Sequence, residues 1–457
     1  MLVNEGFEVV WDDAIAENLS PEDWLRRVRD EHPDLMVIES KTPVVKRHWK
    51  IIDTVKKAVP DILGVMVGDH VTALPQESMK NSQTDFVLTG GDYDFLLLNL
   101  CRNLRNYRTN NGISAEVEKQ LEPGIWYRKN GRICNTGRFV LNHDLCSLPM
   151  IDRNLSKWQL YAYKNGNFKY TPGAYVMAGR DCWWGRCTFC SWTTLYPAGS
   201  FRTVPVKRHL DEVGSLIEKY GIREIFDDSG CFPKRKWLEE FCRGMISRGY
   251  NKRVTLGCNT RIGAQTKTEF QLMKKANFRF VLIGLESVSQ NTLRRLRKGI
   301  RVEDIENACR TAKNAGLEPH LTIMVGYPWE TLKDAETTIE FARRMFRKGI
   351  IDSLQATIVT PYPGTALFSR AVAEGWLTTQ DWDDYDMKHV VWKSAMTESK
   401  VMELTRTIYR SAITPRFVLH KLCSVRSLDD VKFYWKAGKK LAGHLADFNA
   451  QRTSQNT

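Results

Sequence analysis

The sequence of 457 residues lacks several features that would assign it to common classes of protein. It has no run of about 18 apolar residues, so it offers no ordinary membrane-spanning helix. Its first residues lack the basic and apolar regions of a signal peptide. Its 11 cysteines are scattered through a long chain and do not form a disulfide framework. No nucleic-acid-binding module is present, so we expect no nucleic acid partner. These absences predict a cytoplasmic protein with reduced thiols.

Positive charge is concentrated near the end of the chain. The formal net charge is +14, and from Lys400 to Thr457 basic residues outnumber acidic ones by eleven to four. Residues 402–450 have a helical, aromatic pattern, so a solvated helical face is the simpler explanation of this charge. The alternative is peripheral contact with an anionic membrane surface.

Three cysteines lie close together in the middle of the chain, at Cys182, Cys187 and Cys190. A structural zinc site needs four protein ligands, usually from two Cys-x-x-Cys pairs, and this chain has only one such pair. Iron–sulfur clusters normally use four thiolates, so three leave one iron without a protein ligand. The spacing favours an open cluster over zinc-bound or merely buried cysteines.

These cysteines, with Phe189 before the last of them, resemble the cluster motif of the radical S-adenosylmethionine (SAM) enzymes. The resemblance implies a [4Fe–4S] cluster, SAM bound at the open iron, and a 5′-deoxyadenosyl radical that abstracts a substrate hydrogen. It also implies an electron donor such as flavodoxin or ferredoxin, and an anaerobic setting. The family spacing has three residues between the first two cysteines, whereas this chain has four, and Gly185 is suited to the wider turn.

The second half of the chain alternates short apolar strands with helical segments. We predict six strands, at 174–178, 224–226, 254–256, 280–283, 321–325 and 353–358, with helices such as 206–220 and 332–347 between them. This pattern indicates a partial (β/α)6 barrel, whose active residues lie at the carboxyl ends of the strands.

Several predicted strand ends resemble SAM-binding motifs of the same family. The resemblance implies that Asp228 accepts from the SAM amino group and that Glu286 binds SAM. It implies that Asn259 and Arg261 contact the ribose or carboxylate, and that Gly326 lets the backbone approach adenine. Three further rim residues are candidates for a catalytic role, although a structural role is the simpler explanation for each: Cys231, Tyr327 and Tyr362.

The first hundred residues also alternate helix and strand, with apolar strands at 35–38, 62–67 and 85–88. This predicts a doubly wound parallel sheet, in which ligands bind at the carboxyl ends of strands. The loops there resemble a cobalamin-binding domain. The cobalamin residues that this resemblance implies are Ser40, Thr42, Gly68, His70, Val71, Thr72, Thr89, Gly90 and Gly91. Because the Asp-x-His-x-x-Gly motif is absent, we expect His70 to touch the corrin at most and not to ligate cobalt.

The start of the chain does not match a complete domain of this kind. Residues 1–7 have the pattern of a helix end closed by Gly6, and residues 8–11 the pattern of a strand. Either the domain lacks its first strand or the true start lies upstream. We predict four regions: 1–104, the cobalamin-binding domain; 105–172, a linker with a β-hairpin; 173–368, the radical SAM barrel; and 369–457, a basic helical region that caps the barrel mouth.

The segments at 360–365 and 373–377 resemble anaerobic magnesium-protoporphyrin monomethyl ester cyclases and hopanoid-associated radical SAM proteins. We therefore expect a cobalamin-binding radical SAM enzyme acting on a small, hydrophobic substrate. Oxidative cyclisation or rearrangement at an unactivated carbon is favoured over C-methylation, and a non-catalytic cobalamin or metal sensor is the remaining alternative.

Overall fold

The computed structural model describes residues 1–104, 113–164, 168–197, 199, 201–411, 419, 421–423 and 425–447. These residues form two β-sheets, one of five strands and one of six.

The first sheet combines three parallel strands with an antiparallel hairpin. Its strands are β1 (Leu35–Glu39), β2 (Leu63–Val67), β3 (Phe86–Leu88), β4 (Ile125–Lys129) and β5 (Arg132–Asn135), paired in that order. Its helices are α1 (Pro21–Glu31), α2 (Val45–Ala58), α3 (Asp69–Ala73), α4 (Pro75–Asn81), α5 (Tyr93–Leu104) and α6 (Ala115–Gln120). Met66 and Val87 pack with α2 on one face, and Val65 and Leu88 pack with α5 on the other. Both faces are therefore covered, as predicted for a doubly wound sheet.

The predicted hairpin forms, and it belongs to this sheet. Asn130 and Gly131 both have positive φ, which a tight two-residue turn requires. β4 pairs antiparallel with β3, with Tyr127 opposite Phe86. The segment predicted as a linker therefore supplies two strands of the first sheet.

The first residues of the chain differ from the prediction in one respect. A short 3₁₀ helix, Leu2–Glu5, ends at Gly6 in a left-handed conformation, as expected. The strand predicted at residues 8–11 is wrong, because this stretch has no neighbouring strand to pair with and Val10 and Trp11 are about half exposed. The sheet begins with β1.

The second sheet is the predicted open barrel of six parallel strands. They are β6 (Gly173–Val176), β7 (Glu224–Asp227), β8 (Thr255–Thr260), β9 (Phe278–Glu286), β10 (Glu318–Val325) and β11 (Ser353–Ile358), paired in chain order. Its helices are α7 (Gln159–Ala162), α8 (Trp192–Leu195), α9 (Val206–Tyr220), α10 (Lys236–Ser247), α11 (Lys267–Lys275), α12 (Gln290–Arg295), α13 (Val302–Asn314), α14 (Leu332–Arg347) and α15 (Ala366–Ala373). One large apolar core packs between the strands and these helices, and it includes Phe241, Met273 and Met345.

Two helices follow the barrel, α16 (Glu398–Ser411) and α17 (Leu428–Asp447). α16 packs beside α14 and β11, where the Tyr409 hydroxyl donates to the carbonyl of Ala356. α17 contacts the amino ends of the strands: Asp429 pairs with Arg223 just before β7, and Phe433 lies against Arg279 at the start of β9. The prediction of a helical C-terminal region is confirmed. The prediction that this region caps the barrel mouth is wrong for α17, which lies at the opposite end of the strands. No described helix is long and apolar enough to cross a bilayer.

Candidate active site

The three motif cysteines lie on the loop that follows β6. None is in a disulfide, and each is partly exposed. Burial raises the pKa of the Cys190 thiol to about 12, with further contributions from Cys187 and Cys182. Burial likewise raises the pKa of Cys187, while Lys298 opposes the change. Since the thiols act on one another electrostatically, the loop has folded them into one group with a cation beside it.

The donor set of this group is three thiols. A structural zinc site takes four protein ligands on one metal, whereas three thiolates can hold a [4Fe–4S] cluster and leave one iron without a protein ligand. The donor set therefore fits a cluster better than zinc, and the cluster role of the three cysteines stays a prediction.

Two indoles hold the extra residue of the cysteine loop in place. Gly185 adopts φ 56°, a left-handed conformation that suits glycine, as predicted. The indole of Trp184 donates to the carbonyl of Arg297 at 3.0 Å, and that of Trp183 to the carbonyl of Phe232 at 3.2 Å. The Arg261 guanidinium lies 3.9 Å from the centre of the Trp184 ring. The wider loop is thus anchored to neighbouring strand-end segments.

The barrel brings the predicted SAM residues to the carboxyl ends of successive strands. Asp228 follows β7 and accepts a hydrogen bond of 2.9 Å from Asn259 on β8, and burial raises the pKa of Asp228. Arg261 donates to the backbone carbonyl of Lys298. Gly326 follows β10 with φ 92°. The four residues line one end of the barrel.

Glu286, the last residue of β9, forms a buried ion pair that sequence reasoning missed. Its Oε1 lies 2.6 Å from the Nζ of Lys298, and both side chains are less than one-tenth exposed. Burial acts to lower the pKa of Lys298, but Glu286 and Cys187 outweigh it and the pKa is raised. The Lys298 ammonium also lies 5.7 Å from the centre of the Phe189 ring. In the sequence, Lys298 stands within a run of basic residues, and nothing there distinguishes it from its exposed neighbours.

The three candidate catalytic residues occupy different surroundings. Tyr327 is fully buried, and its hydroxyl has no hydrogen-bond partner in the described part of the chain, although Glu286 and Glu330 act on it electrostatically. Cys231 is buried near Cys182, and burial raises the pKa of its thiol to about 12. Tyr362 packs instead with the core of the first sheet and donates to the carbonyl of Tyr385. The structure therefore brings Tyr327 and Cys231 toward the cluster loop and leaves Tyr362 apart.

The predicted cobalamin loops also meet, at the carboxyl ends of β1, β2 and β3. Their polar side chains already have partners within the chain. Thr72 donates to the carbonyl of Gly68 and accepts from the amide of Gly90, and Thr89 donates to the carbonyl of Gly124. Ser40 bonds to His48, and Val71 is buried in the core. A ligand here would be held by backbone groups and small residues rather than by free polar side chains.

His70 is fully buried and both of its ring nitrogens are engaged. Nδ1 lies 3.2 Å from the hydroxyl of Thr42, and Nε2 lies 3.2 Å from a carboxylate oxygen of Glu77. Its ring also packs edge-on against Trp382. Both nitrogens therefore have partners within the chain, and the expectation that His70 does not ligate cobalt stays a prediction.

The cobalamin loops lie directly against the cysteine loop. The Tyr196 hydroxyl donates to the carbonyl of Gly91 at 2.9 Å, and the amide of Gly91 donates to the carbonyl of Leu195 at 3.0 Å. A methyl group at Gly91 would overlap the Tyr196 ring, so only glycine allows this approach. A side chain at Gly364, after β11, would meet Thr194 and Ala73. The carboxyl ends of both sheets therefore face each other across one loop.

Residues 177–342, which include β7 to β10, match the family model described as the radical SAM superfamily. The match confirms the predicted resemblance to radical SAM enzymes and implies the [4Fe–4S] cluster and SAM.

Three comparisons extend this match beyond the barrel. The chain is 27% identical over 413 residues to the uncharacterized methyltransferase PH0819 of Pyrococcus horikoshii, covering 90% of this chain and 85% of the relative. It is 24% identical over 414 residues to an anaerobic magnesium-protoporphyrin IX monomethyl ester cyclase of Cereibacter sphaeroides, covering 89% of this chain and 64% of the relative. The radical SAM methyltransferase TsrM of Kitasatospora setae, solved with cobalamin and a [4Fe–4S] cluster, superposes with a TM-score of 0.72 at 13% identity, covering 98% of this chain and 94% of TsrM. The fold of both sheets is therefore shared with TsrM, and the predicted resemblance to the cyclases is confirmed.

Proposed function

We propose that this protein is a cobalamin-binding radical SAM enzyme that modifies an unactivated carbon of a small hydrophobic substrate. The observation that carries the proposal is the meeting of two strand-end sites across the cysteine loop, where Tyr196 and Leu195 contact Gly91. In parallel α/β folds, ligands bind at the carboxyl ends of the strands. Two cofactors held at these two ends would lie on either side of the same loop.

The residues of the barrel end have distinct proposed tasks. Cys182, Cys187 and Cys190 would hold the cluster, and the fourth iron would receive the amino and carboxylate groups of SAM. When bound, the reduced cluster and SAM supply a 5′-deoxyadenosyl radical that removes a hydrogen atom from the substrate, and cobalamin supplies a methyl carrier or a one-electron centre.

The side chains around that position orient SAM. Lys298 provides a positive charge that acts on Cys187 and Cys190, and its ammonium lies 2.6 Å from the Glu286 carboxylate. Asp228, held by Asn259, would accept from the SAM amino group. The unpartnered hydroxyl of Tyr327 would donate to SAM or to the substrate, because a buried hydroxyl without a partner is unfavourable until a ligand supplies one.

The comparisons favour C-methylation over the cyclisation preferred from the sequence. PH0819 and TsrM, which match this chain over most of both lengths, are both named as methyltransferases. Cyclisation is the second candidate, supported by the cyclase match over 89% of this chain.

Anaerobic reconstitution tests the shared part of the proposal. We expect about four iron per chain, an electron paramagnetic resonance signal that SAM alters, and 5′-deoxyadenosine formed with dithionite. Cys182→Ala, Cys187→Ala and Cys190→Ala should each abolish 5′-deoxyadenosine, whereas Cys242→Ala, in the barrel core, should retain it. Normal iron content without SAM cleavage by the wild-type protein would contradict an enzyme and favour the sensor.

Labelled SAM separates the two reactions. The reconstituted protein with hydroxocobalamin is incubated with methyl-labelled SAM and candidate substrates such as magnesium-protoporphyrin IX monomethyl ester. Methylation predicts label in the product together with 5′-deoxyadenosine. A product that lacks label but has lost hydrogen would instead establish cyclisation.

A further inference from the structure

The surface beside the cysteine loop carries an unusual excess of positive charge. Residues 182–200 and 287–302 together contain six arginines and lysines and no aspartate or glutamate. One of these cations, Lys298, is buried against Glu286, and another, Arg301, pairs with Asp304. The remaining four are exposed and form what we call the arginine rim: Arg186, Arg294, Arg295 and Arg297.

The arginine rim is attached to the cysteine loop by hydrogen bonds. Thr188, between Cys187 and Cys190 in the sequence, donates its amide to the carbonyl of Leu296 at 3.0 Å and its hydroxyl to the carbonyl of Arg295 at 3.2 Å. The Trp184 indole donates to the carbonyl of Arg297. The rim is therefore the protein surface next to the loop that carries the three cysteines, each of which is a partly exposed residue.

The arginines of the rim have no ion-pair partners among the described residues. Arg186 and Arg295 lie over the rings of Trp184 and Trp329, and Arg294 donates to a backbone carbonyl. A second arginine-rich surface, on α13 and α14, differs in this respect. Its cations are neutralised by Glu306 and Glu340, each of which pairs with more than one of them. Uncompensated charge is thus a property of the rim and not of every basic patch on this protein.

From this charge and position we infer that the arginine rim is the docking surface of an acidic one-electron donor protein of the flavodoxin or ferredoxin class. This inference rests on the proposed function, since a cluster on the three cysteines is what the donor would reduce. The reduced donor loses one electron and the cluster gains one, with no other bond made or broken. Unpaired arginines next to the cluster loop would attract an acidic partner and raise its rate of association.

The test compares a protein donor with a small reductant in the reconstituted holoenzyme. We expect Arg294→Glu/Arg295→Glu/Arg297→Glu, which leaves the cysteine loop itself unchanged, to raise the KM for reduced flavodoxin by about tenfold or more. Its 5′-deoxyadenosine formation with dithionite should stay within about twofold of wild type, because a small reductant supplied in excess needs no docking surface. Raising the salt concentration should increase the wild-type KM and leave the variant nearly unchanged. Calorimetric titration with oxidised flavodoxin should show weaker binding to the variant than to wild type, and equal binding would overturn the inference.

Two further variants keep the result interpretable. Arg29→Glu, an exposed arginine on α1 far along the chain from the rim, should behave as wild type with both reductants. The Arg→Gln version of the triple variant should give a smaller change in the same direction. The inference is overturned by an unchanged flavodoxin KM in the triple variant, or by equal losses with flavodoxin and dithionite at normal iron content. Absence of 5′-deoxyadenosine from wild type with dithionite would instead refute the proposed function.

Discussion

At the scale of single residues, the Glu286–Lys298 pair is a buried ion pair at the candidate site. Both side chains are buried, so removing one partner leaves an uncompensated charge. We expect Lys298→Met to lower the free energy of unfolding by about 3–5 kcal/mol and to abolish detectable SAM binding. The double variant Lys298→Met/Glu286→Gln should recover much of the stability without recovering SAM binding. Urea unfolding and calorimetric titration with SAM measure the two effects, and equal destabilisation in both variants would contradict a direct pair.

Glu330 is a second buried residue, and its protonation should change the stability of the protein measurably. Its Oε2 accepts from the amide of Gly326 at 2.7 Å, and burial raises its pKa from 4.5 to about 7. The folded protein therefore binds this proton more tightly than the unfolded chain does, so the contribution of Glu330 to stability is greatest below pH 4.5 and falls as the pH rises to about 7. We expect the stability difference between wild type and Glu330→Gln to change by about 3 kcal/mol over that range. A difference independent of pH would show that the pKa of Glu330 is the same in the folded and the unfolded chain.

At the scale of elements, the sequence predicted helices and strands correctly where the local pattern of apolar residues determines them. The helices Val206–Tyr220 and Leu332–Arg347 and the strand Ser353–Ile358 have the predicted bounds, because apolar periodicity and flanking residues mark them. The predicted strand at residues 8–11 has a suitable composition but does not form, because no neighbouring strand pairs with it. Non-local placement was not predictable: the side of the barrel that α17 covers depends on contacts such as Asp429 with Arg223, some two hundred residues apart.

The same distinction applies to the candidate site. The cysteine loop and the strand-end residues follow from motifs, and their convergence follows from the parallel topology. Lys298 could not be chosen from the run Arg294–Lys298, because only the fold buries one of these cations while leaving the arginines exposed. The docking of Tyr196 on Gly91 likewise joins residues on different sheets.

The start of α17 gives a prediction about stability that does not involve the site. Asp430 is buried, accepts from the amides of Arg426 and Ser427, and pairs with Lys169 at 2.6 Å. Burial acts to raise its pKa, but these partners outweigh it and lower the pKa to about 2. We expect Asp430→Ala to lower the free energy of unfolding by about 2 kcal/mol at pH 7, an effect that disappears as the pH falls from 3.8 towards 2. The dithionite-supported rate at 25 °C should not change, since α17 lies at the opposite end of the strands.

At the scale of the whole molecule, a buried group of charges joins the two sheets. Asp92, between β3 and α5, is 2% exposed and contacts Arg202 at 2.6 Å, Arg180 at 3.3 Å and His143 at 3.0 Å. Arg202 also pairs at 3.0 Å with Asp181, the residue before the first motif cysteine. A single carboxylate of the first sheet thus holds two arginines of the cysteine loop region.

Asp92 should therefore matter far more to stability than its neighbour Asp94, which also pairs with Arg180 but has a side chain 34% exposed. Asp92→Asn removes the carboxylate that two poorly exposed guanidinium groups share, and leaves Arg202 with Asp181 and Arg180 with Asp94. We expect this loss to lower the free energy of unfolding by about 2–3 kcal/mol. Asp94→Asn should lower it by about 1 kcal/mol or less, because water screens an exposed pair. Urea unfolding at pH 7 gives both values. The pKa of Asp92 is lowered, since Arg202 and His143 outweigh the effect of burial, so the contribution of Asp92 should fade in acid as this carboxylate is protonated. Equal losses in the two variants would mean that the sheets are joined mainly by the backbone contacts of Gly91 and by Trp382, and not by this charge group.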